Sequence, residues 1–463
     1  MSTKAQLWFW LALTILLAIH LVSLVNSPWL FQPPKPNTDG PDYENIGFNL
    51  ARGLGFVFDW TDPRAIEVYQ QSELSKATVA DIARTSQPTP TTARPPLLPW
   101  LIAVVYTIVP RGPFAFATIR FILAICLAIA SALAVYVSVA IAAKANQPRA
   151  IVNLAGAGTL LIAIGDRNTR NYSTDFLTEP LALLLTELLT ICLLAWLYGA
   201  REVIGEGLKF SWRWYAIGVG VLLAAMIYSR SLFVFWLPGI WVLLWIGLRQ
   251  NHIWKWPAGQ SLLAIVVAGL CLAPWWIRNC LVLGAVMPLG TQGPITMLGG
   301  YSDAALAAGG DWQYAPEFEL REELEQNPDF QQNTDPIERE LIVVREASRR
   351  VRSWIAAHLA DLPTLFGRRI VTHWNPYHGR SLLWKFAMIA GIAWLIVTKN
   401  RAAVVLIGLP LLNTVVVMML YTTGGRFLVP LYGILYSLGG IGIAGCIAWI
   451  TKFWVGKQHA RSR

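Results

Sequence analysis

Charge is what this sequence has least of. Asp, Glu, Lys and Arg make up only 14% of its 463 residues, against about a quarter in a soluble chain. That deficit argues against a soluble cytoplasmic enzyme, a disordered segment and a DNA-binding module. Cysteine is scarce too: five, at positions 126, 192, 271, 280 and 446, an odd set without a CxxC pair. Neither a disulfide framework nor a zinc site is expected from them. The sequence has no Walker loop, Rossmann fingerprint, HExxH or GxSxG in a fitting context, and no repeat of solenoid period. What is abundant is apolar surface, with 55% hydrophobic residues and a mean hydropathy of +0.48. The net charge of +10 needs no nucleic-acid partner, because Lys and Arg accumulate in the cytoplasmic loops of membrane proteins.

Apolar runs at about 7–26, 115–143, 150–165, 176–198, 214–229, 231–248, 257–277, 381–398, 402–421 and 427–451 each suit a membrane helix, which needs roughly 17 to 25 residues. The expectation is an all-α polytopic membrane protein of about ten transmembrane helices, the first retained as an anchor. Leu97–Val109, closed by Pro110 and Gly112, is too short to cross and is expected to lie in the interface. With that segment kept out of the count, most Lys and Arg of the short loops fall on the inner side. Only Arg167, Arg170, Arg230 and Arg426 remain in short outer loops. Both termini are then cytoplasmic, in the plasma (inner) membrane.

This topology divides the chain into an N-terminal transmembrane module (1–277) with a first outer loop at about 27–114, a second outer loop (278–380), and C-terminal helices with a basic tail (381–463). In the second loop, Asp335-Pro336-Ile-Glu338 reads as a helix start with a capping box. Apolar residues then recur at helical spacing opposite Arg345, Arg349 and Arg352. Such an amphipathic helix fits either the membrane surface or a small external domain.

The candidate chemistry lies at the outer edge. Asp39 and Asp42 follow a proline-rich exit from the first run and precede a helical stretch ended by Gly53 and Gly55. Either carboxylate could serve as a general base or merely cap the helix. Arg94, ahead of Pro95 and Pro96, suits a lipid phosphate, because guanidinium binds phosphate oxygens bidentately; snorkelling to headgroups is the plainer alternative. Glu179 lies inside an apolar run, as does Glu187 two turns further on, and an acid at such depth is costly. Arg230, Arg278 and Arg426 recur at outer span ends, where basic residues should be depleted. His373, Tyr377 and His378 form a weak metal candidate without a clear third ligand.

Taken in order, several of these segments resemble one superfamily. They are Asp39-x-x-x-Tyr43 with Asn49-Leu-Ala-Arg-Gly-Leu-Gly-Phe56, Arg94-Pro-Pro-Leu-Leu-Pro99, Leu177-Thr-Glu179-Pro180, Pro274-Trp-Trp-Ile-Arg278-Asn279 and Arg426-Phe-Leu-Val-Pro430. Together they resemble the GT-C membrane glycosyltransferases, in the bacterial branch related to protein O-mannosyltransferases and to the aminoarabinose transferase of lipid A. The resemblance spans about residues 5–450. It implies a GT-C-like first outer loop with interfacial helices and an inverting transfer from a polyprenyl-phosphate sugar donor to a glycan, glycolipid or protein acceptor on the outer face. It also implies Asp39 as base, Glu179 as second acid, and Arg94 as donor-phosphate contact, with Arg426 assisting. Arg278 joins the candidate phosphate contacts. Asp42 beside Asp39 departs from the pattern and leaves the base open between them. No metal or other cofactor is expected to be required.

Two other functions fit the same sequence. A transporter or flippase of lipid-linked glycans should carry charges near mid-membrane and paired broken helices, whereas here the acids and arginines gather at one edge. A non-catalytic assembly partner on the same scaffold should not keep these acids.

Overall fold

A computed structural model describes residues 3–36, 38–72, 88–202, 211–248, 255–375 and 382–461. The expected apolar runs all fall on helices. They are α1 (Thr3–Val25), α5 (Pro113–Lys144), α6 (Arg149–Gly165), α7 (Glu179–Glu202), α8 (Ser211–Ser229), α9 (Trp236–Leu248), α10 (Lys255–Leu283), α15 (Leu382–Val397), α16 (Gly408–Met419) and α17 (Tyr432–Arg461). Among the described residues seven helices are long and apolar enough to cross a membrane. An eighth is added if α6 and the short helix after it, bent by 54°, form one broken span. Arg213–Ser229 and Leu383–Val397 are apolar but shorter.

The bundle centres on α17, which packs against α5, α6 and α15. Glycines permit this: a Cβ at Gly440 would overlap Thr159 of α6, and one at Gly442 would overlap the Ala387 carbonyl of α15. Apolar lipid provides no hydrophobic drive between helices, so close backbone approach through small residues does that work.

The first long connection carries α2 (Gly40–Ala51), strand β1 (Val57–Phe58), α3 (Pro63–Gln70), strand β2 (Thr89–Pro90) and α4 (Leu97–Ile108). The strands pair antiparallel, Val57 opposite Pro90 and Phe58 opposite Thr89. At 1.5 Å per residue α4 is roughly 18 Å long, well short of a bilayer core of about 30 Å. It buries Leu98, Ile102 and Val105 against α2 and α5 and exposes Val104 and Ile108, as an interfacial helix should.

The second long connection carries α11 (Gln292–Gly300), α12 (Ala315–Glu325), α13 (Pro336–Ala357) and α14 (Leu362–Trp374). Here α13 is the expected amphipathic helix, and its apolar face packs into a small helical cluster. Val343, Val344, Ala347 and Val351 are buried with Ile295, Leu298 and Leu320 of α11 and α12. Asp335 caps α13 through Ile337 N at 2.9 Å, but the expected capping box is not made. Asn333 Oδ1 accepts from Asp335 N instead, and Glu338 turns to Arg345.

Both long connections meet at one end of the bundle. Gly290 sits at φ +80°, and a Cβ there would overlap the Thr92 carbonyl, so the second connection is laid directly on the turn leading to Arg94.

Candidate active site

At that junction three carboxylates and three arginines alternate in one chain. Arg94 spans both aspartates of the first connection. Its Nη1 lies 2.9 Å from Asp39 Oδ1, and its Nη2 and Nε lie 2.6 and 3.0 Å from Asp42 Oδ2. Arg426 continues the chain, with Nη1 at 3.0 Å from Asp39 Oδ2 and Nε bonded to Glu179 Oε1. Arg230 closes it, with Nη2 at 3.0 Å from the same Glu179 oxygen. The formal charges cancel.

Local structure explains each placement. Asp39 is the N-cap residue of α2, yet its side chain makes no capping bond. The carboxylate is therefore free for the arginines, which answers whether it merely caps. Arg94 follows β2 and precedes α4, its guanidinium stacked 5.6 Å from the Tyr43 ring centroid. Gln292, with its amide turned to match donors to acceptors, donates to the Ala93 carbonyl and accepts from Arg94 Nη1 at 2.9 Å. Arg426 follows Gly424 and Gly425, both left-handed (φ 51° and 76°). Asp311 of the second connection holds that turn by accepting from Gly424 N at 2.7 Å. Glu179 starts α7 and is fully buried.

The chain is closed at Glu179 and Arg230 and more open at its two aspartates. Side-chain exposure is 0% at Glu179 and 11% at Arg230, but 28% at Asp39 and 35% at Asp42. The aspartate end therefore faces whatever enters. Burial pushes the Asp39 carboxyl up, but the adjacent Arg94 and Arg426 charges outweigh it and hold it well below the usual carboxylate range. Burial pushes the Tyr43 hydroxyl up to about 12, so it stays protonated.

Of the residues singled out in the sequence, Asp39, Asp42, Arg94, Glu179 and Arg426 come together. Arg278 stands aside: Nη1 bonds the Thr91 carbonyl at 2.6 Å, Nη2 the Phe56 carbonyl at 3.0 Å, and its guanidinium lies over Phe56 and Trp275. It braces the strand pair that delivers Arg94. Arg230 was visible only as another basic residue at a span end; nothing in its sequence context marks Glu179 as its partner. His373 is buried against Asn413, Nε2 to Nδ2 at 3.3 Å, while Tyr377 and His378 lie outside the described residues. Among the described residues no three His, Cys, Asp or Glu side chains gather to hold a metal.

No protein-family model matches this sequence, and no curated protein matches it. The fold is similar to that of the archaeal oligosaccharyltransferase AglB from Archaeoglobus fulgidus, solved in complex with an inhibitory peptide and a dolichol-phosphate. The TM-score is 0.52 at 14% identity, over 95% of this chain and 50% of that one. The chain thus spans half the length of its structural neighbour, and at this identity the likeness speaks for the fold alone. By its helices the chain is a polytopic all-α membrane protein, and its fold is similar to that of this oligosaccharyltransferase.

Proposed function

We propose that this protein is an inverting glycosyltransferase of the membrane. It would move a sugar from a polyprenyl-phosphate donor to a glycan, glycolipid or protein acceptor on the outer face of the plasma membrane. Within the GT-C group we place it in the branch related to protein O-mannosyltransferases, on the sequence motifs. The observation that carries the reading is the alternating chain from Asp42 to Arg230, open at its aspartate end. The neighbour was solved with a dolichol-phosphate and an inhibitory peptide, and a lipid phosphate is the kind of donor this reading requires.

The reaction joins the acceptor oxygen to the anomeric carbon and breaks the bond from that carbon to the phosphate oxygen. The lipid phosphate leaves with the electron pair, and the acceptor proton passes to the Asp39 carboxylate. Arg94 and Arg426 donate hydrogen bonds to the departing phosphate, whose oxygens hold the charge, so its departure needs no protonated acid. Glu179 holds Arg426 and Arg230 in place, and Asp42 anchors Arg94. In the free protein Asp39 is a poor base, because two arginines stabilise its charged form. An entering phosphate competes for both guanidiniums, relaxes that hold and raises the basicity of Asp39 when it is needed. The base is thus matched to an occupied site.

The test is release of prenyl phosphate from synthetic prenyl-phosphate hexoses and pentoses by the purified protein in nanodiscs. Turnover of one donor by wild type, lost in Asp39→Asn, is the expected result; no turnover of any donor would overturn the reading. One alternative has an observation in its favour. Glu187 is wholly buried beside Gly433, and one span is broken by 54°, features that a flippase would use. Lipid-linked glycan crossing proteoliposomes without bond cleavage would decide for it.

A further inference from the structure

The turn that carries Asp39 is tied to the segment that leads into Glu179 by a third acid. Asp175 is 1% exposed, and none of its bonds goes to the arginines of the site. Its Oδ1 accepts from Lys35 N at 3.1 Å and from Phe176 N at 2.8 Å. Its Oδ2 lies 2.7 Å from the Thr38 hydroxyl, which also has the Lys35 carbonyl at 2.8 Å and accepts from Gly40 N at 3.1 Å. Between a carbonyl and a carboxylate, the charged acceptor makes the stronger bond. A second tie runs alongside, from Lys35 Nζ to Thr174 Oγ1 at 2.9 Å.

The same two segments are fastened from below by Arg120 of α5, which is fully buried. Its Nε donates to the Thr174 carbonyl at 2.9 Å, Nη1 to the Gln32 carbonyl at 2.7 Å, and Nη2 to the Pro33 carbonyl at 3.2 Å. Gly40 completes the fit. A Cβ there would stand 2.7 Å from Asp175 Oδ1 and 2.8 Å from Pro34 Cβ, so only glycine lets the residue after Asp39 press this close.

We propose that Asp175 is a positioning residue, which pins the Lys35–Gly40 turn to the 174–179 segment and so holds Asp39 between Arg94 and Arg426. Its catalytic meaning rests on the transferase reading, but its positional role does not. Without the pin, Asp39 drifts from the groups that face it, namely Arg94, Arg426, the more distant Arg230 and the Tyr43 hydroxyl.

The experiment measures how fast a carbodiimide labels Asp39 at different pH values, read by peptide mass spectrometry on the full chain in nanodiscs. Carbodiimide reacts with the protonated carboxyl, so a clamped Asp39 labels only in strong acid. In Asp175→Ala the midpoint should move up by about one pH unit or more, the usual range for losing an opposite charge. Gly40→Ala, whose methyl would press on Asp175 Oδ1 and Pro34 and so displace the same turn without removing any charge, should move it the same way. Asp175→Asn keeps an acceptor for Lys35 N and a partner for Thr38, and should restore most of the wild-type midpoint. An unchanged midpoint in both Asp175→Ala and Gly40→Ala overturns the proposal. So does an Asn variant as strongly shifted as the Ala one, since charge rather than position would then be what matters. Prenyl-phosphate sugar turnover, measured in parallel, fails or succeeds with the transferase reading and leaves the labelling result intact.

Discussion

Two clusters of arginine and carboxylate both draw on the first connection, and they are built to opposite rules. In one, Glu44 is fully buried and Arg111 is only 8% exposed. Arg111 Nε and Nη2 grip the two Glu44 oxygens at 2.7 and 2.8 Å, and Tyr106 and Tyr69 donate their hydroxyls to the same oxygens at 2.7 and 3.2 Å. Two of the remaining three guanidinium hydrogens go to the carbonyls of Arg64 and Ala65. Burial, then the Glu44 charge, pushes both tyrosine hydroxyls well above their usual value, so they stay donors. Each Glu44 oxygen accepts two hydrogen bonds, which leaves the carboxylate little to offer a ligand. In the other cluster Asp39 and Asp42 are partly open, and buried Glu179 Oε2 and Arg230 Nη1 have no hydrogen-bond partner among the described residues. A saturated pair holds α4 and α3 onto α2. An unsaturated one has bonding capacity to give to a substrate.

The sharpest way to break this contrast is to neutralise one acid from each. Asp39→Asn should lower transfer by about 10²- to 10⁴-fold with a smaller loss of thermal stability than Glu44→Gln, measured by donor turnover and a melting curve on the same sample. Glu44→Gln should do the reverse. Removing one partner of a buried pair costs about 3–5 kcal/mol, so it should appear as lost folded protein, while whatever folds keeps near-normal turnover per molecule. If Glu44→Gln folded normally but was inactive, the distinction between the clusters would fail.

Arg94 sharpens the contrast from the basic side. Arg94→Ala should weaken donor use by roughly 30- to 150-fold, about 2–3 kcal/mol for a charge-assisted contact, seen as a raised KM for the prenyl-phosphate sugar. Arg278→Ala should act differently, since its bonds run to the Phe56 and Thr91 carbonyls. Its loss should lower stability and turnover together, by a smaller factor. Equal KM effects from the two variants would return Arg278 to the phosphate contacts.

These contrasts also mark what the sequence could and could not disclose. The apolar helices were legible because hydropathy is local, and the short segment expected to stay out of the bilayer core forms the 12-residue helix α4. Asp335 as a cap was legible for the same reason. The Glu338 capping box failed because Asn333 reached the vacant amide first and Arg345 drew the carboxylate away, a competition that spacing does not encode. For the site, motif order brought Asp39, Arg94, Glu179 and Arg426 into view. The pairing of Arg426 with Asp39 and of Arg230 with Glu179 depends on how distant helices pack, so the closed chain was not. Asp175 lies two residues ahead of the Leu177-Thr-Glu179-Pro180 segment, but its role depends on a turn almost 140 residues earlier.

The smallest expected effect concerns pH, and it separates a base that is merely present from one that its substrate unmasks. The profile of kcat/KM reports groups in the free protein, and that of kcat reports those in the complex. In the free protein Arg94 and Arg426 hold the Asp39 carboxyl below the usual range. It stays ionised through the pH where an ordinary aspartate protonates, about 3.9, so kcat/KM should show no acid limb from Asp39 across neutral and mildly acid pH. In the complex the donor phosphate shares the two guanidiniums, the carboxylate loses part of that stabilisation, and its proton affinity rises. The acid limb of kcat should therefore lie at higher pH than that of kcat/KM, by about one unit if one opposite charge is effectively withdrawn. The Glu44 cluster predicts no such displacement, because the donor phosphate has no access to a saturated pair. Coincident limbs would mean that the arginines keep their grip on Asp39 through the reaction, and the substrate-driven rise in basicity would have to be abandoned.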